Sequence, residues 1–138
     1  MRSGILFLFI SFMNSKFCIL NCDRAEAENI LYLFSEGSEF YCLGVSDNYE
    51  SSMNLFLKSL PEIIIIDIDR NDENKNNSPF NLVNELFQYL DYLPILIAIS
   101  SSTEKAYDVI KIGFSDYLLK PILEIYIRRC LSNLKRNL

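Results

Sequence analysis

The sequence predicts a single α/β domain in which a parallel β-sheet is covered by helices on both faces. Strand-like and helix-like segments alternate five times along the 138 residues, and such alternation implies parallel strands joined by right-handed crossovers. Half of the residues are hydrophobic, which is enough for a buried core and excludes a disordered chain. Two segments, EIIIIDI and PILIAIS, are apolar without alternation, as in strands that are buried on both faces.

The first half of the chain contains two strand–helix units behind an extension of uncertain status at residues 1–15. KFCILNC predicts a strand at 17–22, and DRAEAENILYLFSEG predicts a helix with acidic residues in its first turn, where the helix dipole favours them. EFYCLGVS predicts the second strand, and NYESSMNLFLKSL predicts a helix that a proline terminates. The apolar run inside the extension is shorter than a membrane span requires, so we expect no membrane association and place the domain at 16–138.

The second half contains three more units. EIIIIDI predicts the third strand and PFNLVNELFQYLDYL a helix opened by its proline. PILIAIS predicts the fourth strand, and STEKAYDVIKIG a helix with a Ser or Thr N-cap that closes at Gly113. SDYLLK predicts the fifth strand, and PILEIYIRRCLSNLKRNL a last helix with proline at its start. The Asn- and Asp-rich stretch 71–77 predicts a loop.

Composition excludes several classes of function. The net charge is −5 and the chain has no histidine, so only a short basic tail is available to nucleic acid, and we expect no direct nucleic-acid binding. The four cysteines form no Cys-x-x-Cys pair, and a zinc site without histidine would need all four thiolates. We interpret them as small buried hydrophobic residues in a reducing compartment: Cys18, Cys22, Cys42 and Cys130.

Candidate functional groups follow the strands, because ligands of open α/β sheets bind beyond the carboxyl ends of the strands. The thiol, carboxylates, hydroxyls and ammonium found there are Cys22, Asp23, Asp67, Asp69, Ser100, Ser101, Ser102 and Lys120. Two carboxylates ~4 Å apart repel each other by about 4 kcal/mol at an effective dielectric constant near 20. Such a site favours a hard dication with oxygen ligands, for example Mg²⁺.

The segments ILNCDR, PEIIIIDID, ILIAISSS and GFSDYLLKP, in this order and approximate spacing, resemble the receiver domain of two-component response regulators. The resemblance covers about residues 16–138. It implies a doubly wound, flavodoxin-like domain with strand order 2-1-3-4-5 and five helices. It also implies a cytoplasmic phosphorelay protein that is not an enzyme beyond Mg-dependent self-phosphorylation and autodephosphorylation. The implied partners are a sensor histidine kinase or phosphotransfer protein, and an output protein or second copy bound through the 103–134 face.

The resemblance also implies roles for individual residues. Asp67 resembles the phospho-accepting aspartate, and Asp23 the second carboxylate that holds Mg²⁺ or Mn²⁺ together with it. Asp69 stands where the family offers a backbone carbonyl to the metal, so its side chain inherits no role. Lys120 resembles the lysine that contacts the phosphoryl group, and Ser100 the hydroxyl residue that switches with it.

Tyr117 resembles the aromatic residue that changes rotamer together with the hydroxyl. Three features depart from the family pattern. Cys22 stands where an acid is usual, the loop after Asp67 lacks the usual Met-Pro and Gly, and the segment from Ser100 to Lys120 is slightly short. Because of this shorter spacing, Ser101 could take the hydroxyl role instead.

Other interpretations of the same residues remain open at this stage. Asp23 is also a good helix N-cap, and Asp67, Lys120 and Tyr117 are compatible with ordinary structural roles. The chain could be a degenerate receiver that binds partners without taking phosphate. A flavodoxin-like enzyme that binds FMN is a further alternative, although NCDRAEAEN presents carboxylates where a phosphate-binding loop needs donors.

Overall fold

A computed structural model describes residues 15–36, 39–69 and 78–137, with side chains to Leu134. The predicted loop at 71–77 and almost all of the predicted extension lie outside these residues. In the described part, the strands are β1 (Ser15–Leu20), β2 (Phe40–Ser46), β3 (Ile63–Asp67), β4 (Ile95–Ser100) and β5 (Asp116–Leu119). The helices are α1 (Arg24–Ser35), α2 (Tyr49–Ser59), α3 (Pro79–Tyr89), α4 (Ala106–Lys111) and α5 (Glu124–Asn137).

The strands form one parallel sheet in the order β2-β1-β3-β4-β5. This arrangement confirms the predicted doubly wound class and the predicted strand order. Asp67 pairs in register with Ile99 of β4, and Ser100 pairs with Leu119 of β5. The register therefore brings the carboxyl ends of β3, β4 and β5 to one edge of the sheet.

The four isoleucines of β3 explain why this strand reads as a continuous apolar run. Ile63 and Ile65 belong to a core layer that contains residues of α1 and α5, whereas Ile64 and Ile66 belong to a second layer with residues of α2, α3 and α4. All four side chains are fully buried, and each contributes about 1.5–3 kcal/mol to folding by leaving water. Burial on both faces is therefore confirmed for the central strand.

The starts of two helices differ from the sequence-based expectation. The predicted Ser or Thr N-cap of α4 is wrong, because Lys105 occupies that position and makes no side-chain cap hydrogen bond. The prediction that α5 starts at Pro121 is also wrong, because α5 begins at Glu124. In contrast, Pro79 does lie in the first turn of α3, where the Ser78 side chain accepts a hydrogen bond from the Asn81 N–H.

The end of β1 also lies earlier than predicted. The strand ends at Leu20 rather than at residue 22. Asn21 still donates its backbone N–H to the carbonyl of Ser46 (3.0 Å), after which the chain turns into α1. None of the described helices combines the length and apolar composition that crossing a bilayer demands.

Candidate phosphoryl site at the carboxyl edge of the sheet

Asp67 is the last residue of the central strand, and its carboxylate lies at the carboxyl edge of the sheet. The residue is only 3% exposed, because β1 and β4 flank its strand and helices cover both faces. Oδ1 accepts a hydrogen bond from the Asp69 backbone N–H (3.0 Å) and lies 3.1 Å from Nζ of Lys120. The predicted acceptor and the predicted lysine are therefore in direct contact.

Lys120 lies among three carboxylates that come from different parts of the chain. Its Nζ is 3.1 Å from Asp67 Oδ1, 3.3 Å from Asp69 Oδ2 and 3.6 Å from Glu26 Oε1. Burial of the ammonium acts to lower the pKa of Lys120, but the hydrogen bond and charge of Asp67, with the charge of Glu26 and the contact with Asp69, outweigh it and raise the pKa. Three carboxylates around one ammonium leave an excess of two negative charges at this edge.

The Asp69 side chain also belongs to the site. Oδ1 accepts a hydrogen bond from the Ser100 hydroxyl (2.6 Å) and Oδ2 accepts one from the Ser101 N–H (2.7 Å). Burial acts to raise the pKa of Asp69, but these hydrogen bonds and the Lys120 ammonium lower it to about 2. The sequence-based assignment gave this side chain no role, although its spacing from Asp67 could have indicated that both carboxylates reach the same edge.

The loop after β1 arranges Asn21 and Asp23 differently from the prediction. Asp23 accepts a hydrogen bond from the Glu26 N–H (3.1 Å) and is the N-cap of α1. The buried Asn21 donates its side-chain amide to Glu26 Oε1 (2.7 Å) and accepts from the Asp23 N–H (2.8 Å). The N-cap interpretation of Asp23 is therefore confirmed, whereas its role as a metal ligand stays a prediction.

Cys22 and Asp23 do not join the lysine cluster. Among the described residues, neither forms a hydrogen bond or an ion pair with Asp67 or Lys120, and Cys22 is exposed. From this part of the chain, the acidic residue that contacts Lys120 is Glu26, whose carboxylate accepts a hydrogen bond from the Asn21 side chain. Sequence reasoning did not assign Glu26 or Asn21 to the site. The acidic residue in the first turn was already explained by the helix dipole.

Ser100 and Tyr117 are linked through the backbone of Ser102. The Ser102 N–H donates to the Ser100 hydroxyl oxygen (3.2 Å), and the Tyr117 hydroxyl donates to the Ser102 carbonyl. Ser100 is buried and directs its hydroxyl to Asp69, whereas Ser101 is exposed and contributes its backbone N–H. Of the two hydroxyls considered from the sequence, the Ser100 hydroxyl is therefore the one directed at the site.

Comparisons with known proteins agree with this architecture. No family model matches the chain. The sensory transduction protein LytT of Bacillus anthracis is 22% identical over 121 residues, which are 88% of this chain and 47% of that protein; the LytT of Bacillus cereus gives the same values. The chain therefore spans about half the length of the curated relatives that it matches.

Solved structures give the most extensive match. The response regulatory domain of mrkE from Klebsiella pneumoniae has a TM-score of 0.76 at 20% identity, covering 88% of this chain and 96% of that one. The REC domain of RcsB from Salmonella enterica, solved with phosphomimetic BeF₃⁻, has a TM-score of 0.77 at 14% identity, with 89% of each chain covered. The chain has the receiver-domain fold. The predicted resemblance to response-regulator receivers is confirmed at this level.

The oxygen donors at this edge of the sheet suit magnesium, which the fold implies. Asp67, Asp69 and Glu26 offer hard carboxylate oxygens with an excess of negative charge. Within the described residues, however, no three His, Cys, Asp or Glu side chains are arranged to hold a metal ion. Mg²⁺ commonly binds through one or two carboxylates and retains several waters, so the donors fit this ion without a complete protein cage.

The N-terminus of α1 disfavours the FMN alternative. A phosphate-binding loop needs free backbone N–H groups. In this protein, the Asp23 N–H donates to the Asn21 side chain and the Glu26 N–H donates to the Asp23 side chain. A phosphate placed there would compete with both groups and would face the Asp23 carboxylate.

The domain also carries exposed apolar residues within the predicted partner face, residues 103–134. Ile122, Ile127, Cys130 and Leu134 of the last segment are buried in the core. Leu123 and Ile125 are exposed, as are Tyr107 and Ile110 of α4. The last segment therefore carries apolar residues that the core does not cover, and we call Tyr107, Ile110, Leu123 and Ile125 the apolar face.

The four cysteines are all free. Cys18 and Cys130 are buried and Cys42 is half-buried, as expected for small hydrophobic residues. The exposed Cys22 does not fit that interpretation, which is wrong for this one position.

Proposed function

We propose that the chain is a phospho-accepting receiver domain of a two-component phosphorelay and that Asp67 accepts the phosphoryl group. The observation that carries this proposal is the 3.1 Å contact between Oδ1 of Asp67 and Nζ of Lys120 at the end of the central strand. A carboxylate that is 3% exposed and paired with a lysine combines a nucleophile with a cation suited to a phosphoryl oxygen. The names of the relatives, a sensory transduction protein and several response regulators, support the same function.

In this mechanism, a carboxylate oxygen of Asp67 attacks the phosphorus of the donor in line with the leaving group. The new O–P bond forms as the bond to the leaving group breaks, and the leaving group keeps that electron pair. Lys120 pairs with a phosphoryl oxygen, and the Ser100 hydroxyl donates a hydrogen bond to another. A bound Mg²⁺ would neutralise the negative charge of the incoming phosphoryl group. By resemblance, Asp67, Asp23 and the Asp69 backbone carbonyl would hold it, and the carboxylates of Glu26 and Asp69 would add negative charge close by.

The signal would leave the site through the serines that follow β4. Ser100 is joined through Ser102 to Tyr117 in β5, and β5 precedes the segment that carries Leu123 and Ile125. We infer that a second copy or an output protein docks on the apolar face, within residues 103–134. The phosphoryl donor would be a sensor histidine kinase or a phosphotransfer protein in the cytoplasm.

A degenerate receiver is the second candidate, and one observation favours it. The loop after β1 carries the amide of Asn21 and the thiol of Cys22, and its carboxylate, Asp23, is occupied as a helix cap. Such a chain would bind its partners without taking phosphate.

Incubation with acetyl phosphate and Mg²⁺, followed by intact-mass measurement, separates the two candidates. The phospho-accepting function predicts the addition of one phosphoryl group to the wild type and to the control Asp91→Asn, which changes an exposed aspartate. Asp67→Asn removes the nucleophile and is expected to stay unlabelled. Labelling of Asp67→Asn would contradict the assignment, and an unlabelled but folded wild type would favour the degenerate receiver.

A further inference from the structure

The carboxylate of Asp69 is held by three donors. The Ser100 hydroxyl donates to Oδ1 (2.6 Å), the Ser101 N–H donates to Oδ2 (2.7 Å), and Lys120 Nζ lies 3.3 Å from the same Oδ2. One donor is a hydroxyl, one a backbone amide and one an ammonium. Together they form a binding site for an anion with several oxygens.

Two of these donors are the groups that the proposed phosphoryl group would use. Lys120 Nζ lies almost equally far from Asp67 (3.1 Å) and Asp69 (3.3 Å), and the Ser100 hydroxyl is already directed at Asp69. A hydroxyl has a single proton to donate. Ser100 therefore cannot donate to Asp69 and to a phosphoryl oxygen at the same time.

We propose that the Asp69 carboxylate is an internal stand-in for the phosphoryl group, occupying its donors while Asp67 is unmodified. This inference rests on the proposed function. Phosphorylation of Asp67 then has to displace the Asp69 side chain from Ser100 and Lys120. A phosphoryl group carries more negative charge than a carboxylate and has more acceptor oxygens. Once attached to Asp67, it therefore binds Ser100 and Lys120 more strongly than the Asp69 carboxylate does.

The stand-in also holds the residues that would transmit the signal. Ser100 accepts from the Ser102 N–H (3.2 Å), and Ser102 accepts from the Tyr117 hydroxyl at its carbonyl. An anion on Ser100 therefore fixes this connection before any phosphate arrives. Loss of the Asp69 carboxylate is expected to release Ser101 and Tyr117 in the unmodified protein.

The first test measures the affinity for beryllofluoride, the phosphomimetic used with RcsB, at saturating Mg²⁺ with titration followed by NMR. Asp69→Asn keeps the size of the side chain but loses its charge, and Asp69→Ala loses both the charge and the acceptor atoms. Removal of a competitor that occupies the donors roughly 90% of the time raises the apparent affinity about tenfold. We expect the affinity for beryllofluoride to be highest in Asp69→Ala, intermediate in Asp69→Asn and lowest in the wild type. Asp91→Asn should bind it as tightly as the wild type does. Equal or weaker binding by both Asp69 variants would overturn the proposal.

The second test uses the free proteins and does not depend on the acceptor. The amide resonance of Ser101 and the ring resonances of Tyr117 are compared between wild type, Asp69→Ala and Asp91→Asn. We expect the chemical shifts of both sets of resonances to change in Asp69→Ala and to stay as in the wild type in Asp91→Asn. Unchanged chemical shifts in Asp69→Ala would refute the proposal that Asp69 is a stand-in for the phosphoryl group. If neither the wild type nor any variant binds beryllofluoride, the proposed acceptor function fails. The NMR comparison of the proteins without ligand then decides by itself whether Asp69 holds Ser101 and Tyr117.

Discussion

Nζ of Lys120 lies 3.1 Å from Oδ1 of Asp67, although the two residues are 53 positions apart in the sequence. The contact joins the end of the central strand β3 to the end of the edge strand β5. Two further carboxylates, from Asp69 and Glu26, lie within 3.6 Å of the same nitrogen. The lysine is therefore the cation that makes this concentration of negative charge tolerable in the folded state.

Replacement of this lysine tests its electrostatic role. Lys120→Met keeps much of the side-chain volume but leaves three carboxylates without their cation, so we expect the free energy of unfolding to fall by roughly 1–3 kcal/mol. Urea unfolding at neutral pH without metal measures the change. The exposed Lys16→Met serves as the control, with an expected change within about 0.5 kcal/mol. Equal losses in the two variants would show that the cluster does not depend on Lys120.

Glu26 adds charge to the site without being required for its hydrogen bonding. In Glu26→Gln the amide oxygen can still accept from Asn21, so stability is expected to change little. The loss of one negative charge near Asp67 is expected to weaken Mg²⁺ binding about three- to tenfold. Calorimetric titration of Mg²⁺ checks this, with the exposed Glu28→Gln on the same helix as control. The expectation fails if both variants bind Mg²⁺ equally well.

Cys22 stands where the resemblance places an acid. Cys22→Asp adds a carboxylate near the metal position and is expected to strengthen Mg²⁺ binding by on the order of 1 kcal/mol, or about fivefold, with faster labelling by acetyl phosphate. Cys22→Ser is a neutral control of similar size and should resemble the wild type. If the aspartate variant binds no more tightly than the serine variant, residue 22 lies outside the reach of the metal.

The apolar face is expected to mediate association. Ile125 is 57% exposed, and exposed apolar surface of this kind is typical of protein interfaces. Sedimentation velocity with and without acetyl phosphate is expected to show a larger species, and Leu123→Ser and Ile125→Ser are each expected to reduce its proportion. Leu93→Ser removes a similarly exposed residue elsewhere and should not affect association. A monomer under all conditions, together with unchanged partner binding by both variants, would refute this role.

Stability is expected to decline at alkaline pH because of a buried thiol. Burial raises the pKa of Cys18 from 9.0 to about 11, so in this window the unfolded chain loses a proton that the native chain keeps. The contribution of the protonated Cys18 thiol to the free energy of unfolding is complete below pH 9. It is lost as the pH rises towards 11, which lowers the free energy of unfolding by roughly 1–3 kcal/mol. Urea midpoints across this range measure the decline, which Cys18→Ala should reduce. An identical pH dependence in Cys18→Ala would contradict the assignment to this thiol.

Sequence patterns predicted most of the fold because the relevant signals are local. The apolar runs of β3 and β4 indicate two-sided burial, and Pro79 behind Ser78 marks the start of α3. The starts of α4 and α5 were misplaced because Lys105, the N-cap of α4, and Leu123, which precedes α5, are not favoured capping residues. Their positions depend on how the segments around β5 pack, which local propensity does not encode.

The site was only partly predictable, for a related reason. Asp67 and Ser100 are the last residues of strands and Lys120 directly follows one, so the topology alone brings them together. Glu26 lies in a helix, and the hydrogen bond from Asn21 directs it to Lys120. The role of the Asp69 side chain depends on the hydroxyl and amide that follow β4. Such contacts between distant segments have no signature in either segment taken alone.

Chemical mapping of the phosphorylated residue tests the central claim most directly. Borohydride converts an aspartyl phosphate to homoserine, which peptide mass spectrometry locates in the chain after treatment with acetyl phosphate and Mg²⁺. The account predicts homoserine at position 67 in the wild type and none in Asp67→Asn, with Asp23 and Asp69 unmodified. Homoserine at position 69 or 23 instead, or its absence from a folded wild-type protein, would contradict the proposal that Asp67 is the phosphoryl acceptor.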